Sequence, residues 1–171
     1  MKKILFIVFL FSLTPLMYSD DNIVTERLSF DLVLSVNGTN YWEWTVPKSL
    51  YVFNNNYIQL YQGESLFVEA DVINDVIVNL TVVREIVNKD KTIILEFNQI
   101  TNKENPKIHE FMMLKITNPF NKDLVYKADI YLIQYDRWVN TSTIPVRAGL
   151  VSYESWHDII GTMVLNDFIL K

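Results

Sequence analysis

The stretch SYESWHDI, residues 152–159, gathers hydroxyls, two carboxylates, an imidazole and an indole. Such side chains do acid–base chemistry or hold a metal ion when they converge. Glu154, His157 and Asp158 fall within one turn if the segment is helical. They define one reading of the chain, a hydrolase or metal-dependent enzyme. A zinc site wants three protein ligands, with a further histidine or cysteine nearby. The chain has no cysteine, and its only other histidine is His109. Ser155 lies two residues from His157, a spacing at which helical side chains do not face each other. No G-x-S-x-G turn occurs, and four glycines leave no phosphate-cradling loop.

At helical period, Trp156, Ile159, Ile160 and Met163 form an apolar stripe, and Glu154, His157 and Asp158 lie opposite. Ser152 sits where an N-cap belongs. The expectation is therefore a short C-terminal helix closing a β-core, with Trp156 beneath it and the three polar groups in water. No catalytic residue, metal ligand or cofactor is assigned.

Aromatic side chains offer a second chemistry. Tyr41, Trp42 and Trp44 share one run, and Tyr51, Tyr57 and Tyr61 flank three consecutive asparagines. Flat rings beside amides hold a sugar or a peptide, because such rings suit places that are apolar on one side and wet on the other. Trp42 and Trp44 share a face and are expected in the core. The segment 136–150 has little alternation, and Pro145 excludes a central strand around it. Trp138 is expected to plug the end of the fold there. The candidate binding residues are Tyr41, Tyr57, Tyr61, Arg137 and Trp138.

The elements that must position these groups read as strands. Leu28, Phe30, Leu32, Leu34 and Val36 alternate with polar or smaller residues, and Asn37-Gly38 then marks a tight turn before NYWEWTV. This is the clearest hairpin in the chain. Val76, Val78, Leu80 and Val82 form a second row, and Tyr126, Ala128, Ile130 and Leu132 a third. Eight or nine such runs with short turns predict an all-β, immunoglobulin-like antiparallel sandwich, with a jelly roll as the alternative.

Residues 1–19 pair Lys2 and Lys3 with an apolar run, Ile4 to Phe11, the pattern of a secretory signal peptide. That run is shorter than the about 20 residues a membrane span needs. Residues 20–171 form one expected domain, exported to the periplasm or secreted, with no transmembrane segment in the mature chain. Without Lys2 and Lys3 the 15 basic residues become 13 against 20 acidic ones, a balance of −7. Such a chain is a poor fit to nucleic acid. A non-enzymatic role is expected, binding a protein or cell-envelope glycan partner.

Overall fold

The structure is a computed structural model that describes residues 21–171; the expected signal peptide, residues 1–19, lies outside them. The fold is an all-β, immunoglobulin-like antiparallel sandwich. Its first layer runs β8 (Val76–Val83), β7 (Ser65–Ile73), β9 (Thr92–Thr101), β10 (His109–Thr117) and β13 (Val151–Trp156). The second runs β12 (Arg137–Thr141), β11 (Leu124–Leu132), β14 (Ile160–Leu170), β6 (Tyr57–Tyr61) and β5 (Val52–Phe53). One ladder pair, Ile169 with Val76, joins the two. A hairpin of β2 (Phe30–Ser35) and β3 (Tyr41–Val46) and a pair of β1 (Glu26–Arg27) and β4 (Ser49–Leu50) complete the strands. Short strands such as β1, β4 and β5 raise the number above the eight or nine read from alternation.

Alternation built the core where expected. Tyr126, Ala128, Ile130 and Leu132 are all buried, as are Leu32 and Leu34. Leu28, the first of its row, is 78% exposed because it precedes β2. The Asn37-Gly38 turn forms. Asn37 Oδ1 accepts from the Thr39 and Asn40 amides, and Gly38 takes φ of 89°, a conformation that favours glycine.

Four expectations are corrected. The C-terminal helix does not form: residues 151–156 and 160–170 are β13 and β14. β14 pairs with β11 on one side and β6 on the other, and it is buried along most of its length. A strand buried on both faces shows no clean period of two, and Ile159-Ile160 favours pleated backbone. The Val76 row breaks at a bulge. Asp71 pairs with Asn79 and Val72 with Ile77, so Val78 is the extra residue. Ile77 is buried and Val78 exposed as a result. Trp138 does not plug the sandwich; it stands 48% exposed on the edge strand β12. Trp44 is 37% exposed and lies outside the core, whereas Trp42, half-buried, packs against the core from its margin.

Candidate aromatic binding recess

Cross-strand partners share a face of the sheet. Trp138 pairs with Tyr131, Tyr131 with Thr162, and Thr162 with Tyr61. These four form one row across β12, β11, β14 and β6. The next row, Ile130, Met163 and Leu60, faces the core. The aromatic row therefore lies on the outer side of the second layer.

The hairpin β2–β3 folds against this outer surface. Trp44 meets Tyr61 edge-on at 5.9 Å, and Trp42 meets Trp44 at 5.7 Å. On the far side Tyr131 and Trp138 lie 5.5 Å apart. Between the two aromatic walls is an open recess of about 230 Å³, completed by Gln59, Thr162 and Glu43. That is smaller than the roughly 300–1,000 Å³ of drug-sized ligand pockets. It suits one sugar ring or one side chain.

The floor is polar and ordered. Thr162 Oγ1 donates to the Leu60 carbonyl at 2.8 Å, so it accepts from Gln59 Nε2 at 3.1 Å. The same Nε2 donates to the Tyr61 hydroxyl at 3.1 Å. This fixes the orientation of the Gln59 amide, and among the described residues nothing donates to its Oε1.

Behind the floor stands Arg27, 2% exposed. Its guanidinium lies 4.9 Å from the Tyr61 ring centre and 4.4 Å from that of Tyr51. It donates to both carboxylate oxygens of Glu64, and Glu64 Oε2 also accepts the Tyr61 amide at 2.8 Å. Tyr61 is thus held from its ring and from its backbone. Burial raises the pKa of its phenol, with the nearby guanidinium opposing, so the hydroxyl stays protonated at neutral pH.

Of the residues singled out from sequence, Trp138 lines the recess and Tyr61 packs beneath it. Tyr41 is at the hairpin end, 5.6 Å from the Lys107 ammonium. Tyr57 packs on Phe53, and Arg137 lies over Tyr135. These three do not line the recess. Trp42, Trp44, Tyr131 and Gln59 do. Alternation did place Trp42 and Trp44 on one face; where the hairpin docks decides what that face meets.

The Glu154, His157, Asp158 group does not assemble. Glu154 is buried, accepting from the Tyr126 hydroxyl at 2.6 Å and the Ile144 amide at 2.9 Å. The expectation that it faces water is overturned. His157 is exposed in the turn between β13 and β14. His109 does reach this turn, but it bonds the His157 backbone carbonyl at 3.0 Å rather than sharing a ligand with its ring. Among the described residues no three His, Asp or Glu side chains are grouped to hold a metal, and no helix is long and apolar enough to cross a membrane. Compared with known proteins, the chain matches no family model, no curated protein and no solved structure.

Proposed function

We propose that this chain is an exported, non-enzymatic β-sandwich protein that binds a partner, a protein or a cell-envelope glycan, through the aromatic recess. The observation that carries the reading is the facing of Trp42 and Trp44 against Tyr131 and Trp138 across the Gln59–Thr162 floor. Rings supply apolar contact area at small entropic cost, and the open Gln59 Oε1 supplies one oriented acceptor. Export rests on the charged and apolar pattern of residues 1–19.

The test is titration of the purified protein with panels of short peptides and neutral oligosaccharides, followed by tryptophan fluorescence. A saturable change that Trp44→Ala and Trp138→Ala each abolish supports the reading. Binding that both variants retain, or no binding from either panel, removes it.

A further inference from the structure

The ladder between β2 and β3 says which backbone groups of β3 are free. The Val36 amide donates to the Asn40 carbonyl at 3.1 Å, so that pair is hydrogen-bonded. Antiparallel pairs alternate between bonded and non-bonded. Along the register, Leu34 with Trp42 and Leu32 with Trp44 are then bonded pairs, while Ser35 with Tyr41, Val33 with Glu43 and Asp31 with Thr45 are not. The N–H and C=O groups of Tyr41, Glu43 and Thr45 point away from β2. Among the described residues no backbone group pairs with them. Glu43 lines the recess although its side chain lies on the opposite face from Trp42 and Trp44. Its backbone, with N–H and C=O pointing away from β2, runs between those of the two recess tryptophans.

The free edge of β8 is treated differently. Val24 donates to the Val82 carbonyl, Leu80 donates to the Asn55 carbonyl, and Ile169 pairs with Val76. Three separate segments cover that edge. The edge of β3, flanked by two tryptophans, is left bare. An open edge is a template for another strand.

We infer that the recess and the β3 edge form one site, and that its ligand is an extended polypeptide segment of a partner, added as a strand to β3. The inference rests on the proposed use of the recess and names what fills it. A regular comb of donors and acceptors every second residue matches a peptide backbone, which supplies affinity while side-chain pockets supply specificity. The residue opposite Glu43 shares the Glu43 face, and its two neighbours face the tryptophans. On the Glu43 face stand the exposed carboxylates of Glu43 and Asp31, neither in an ion pair among the described residues. Complementary charge there means lysine or arginine. The recognised segment alternates basic residues with apolar ones, an apolar side chain entering the recess.

The experiment uses the mature protein and four probes: a short peptide alternating lysine with leucine and phenylalanine, the same peptide N-methylated at alternate amides, its glutamate counterpart, and a neutral oligosaccharide. Tryptophan fluorescence gives the affinity, and amide exchange followed by NMR gives the contact. The lysine peptide is expected to bind, to slow exchange of the Glu43 amide, and to lose binding with Trp44→Ala. The N-methylated and glutamate peptides are expected to bind at least about tenfold more weakly, the range that lost pairing and like charge produce. Glu43→Lys reverses the charge preference. Equal binding of the methylated peptide overturns strand addition, as does an unchanged Glu43 amide. Binding of the oligosaccharide alone overturns strand addition and leaves the recess reading standing. No binding by any probe overturns both.

Discussion

The hydroxyl of Tyr126 donates to Oε1 of Glu154 across 2.6 Å and thereby ties β11 in one layer to β13 in the other. The same oxygen accepts the Ile144 amide, which anchors the long segment between β12 and β13. Burial and the adjacent carboxylate together push the Tyr126 phenol far above its ordinary pKa, so it stays a donor throughout the folded range. Tyr126→Phe removes this donor and leaves a buried carboxylate with one bond fewer. The expected loss is about 1–3 kcal/mol, read as a lower urea midpoint with an unchanged slope.

Arg27→Met is expected to cost more. Its guanidinium bonds Glu64, Ser49 and the carbonyls of Leu50 and Gln59, and breaking the pair leaves Glu64 without its counter-charge in a mostly buried place. Loss of one partner of a buried pair costs about 3–5 kcal/mol. Arg27→Lys keeps the charge but has no planar fork to span these acceptors. Both variants should lower the midpoint of chemical unfolding, and an Arg27→Lys protein as stable as the parent contradicts this account.

His109 predicts an acid-sensitive step. Gln99 Oε1 accepts the Ser35 amide, and Gln99 Nε2 donates to the Ser35 carbonyl and to His109 Nδ1 at 2.9 Å. Nδ1 must therefore be unprotonated, and Nε2–H donates to the His157 carbonyl. Burial lowers the His109 pKa first, the His157 ring adds to this, and the His157 carbonyl and Asp158 oppose it. The unfolded chain then binds the proton more readily than the folded one. Stability from this group is complete above the unfolded histidine value, about 6.5, and falls as pH drops below it. Stability measured from pH 8 to 5 should decline on the acid side, and His109→Gln should flatten that decline near pH 6.

Gly161 has no room for a side chain. A Cβ there would lie 2.8 Å from Ile133 Cγ2 and 3.4 Å from the Tyr131 ring. Gly161→Ala is expected to displace Ile133 and tilt Tyr131, at a cost of about 1–3 kcal/mol. Ligand titration of this variant should show weakened recess binding while circular dichroism remains that of the parent.

Much of the layer structure was legible in residue order. Asn37-Gly38 located the hairpin, and the Tyr126–Leu132 alternation located a core face, because both signals are local. β14 was misread since a strand with partners on both sides carries apolar residues on both faces, and its start coincides with a helical period. The recess was half legible. Trp138 and Tyr61 stood out, but Trp42 and Trp44 declare only that they share a face. Tyr131 came to the site through its pairing with Thr162, thirty-one positions later, a relation no local pattern carries. Glu154 was read as wet because its buried partner, Tyr126, belongs to the opposite layer.

The Tyr126–Glu154 tie has a chemical corollary. Hydrogen bonds and packing join the layers, and the chain contains no cysteine. Thiol reductants should therefore leave the melting temperature where it is, and refolding from denaturant should proceed without an oxidant or an isomerase for cross-links.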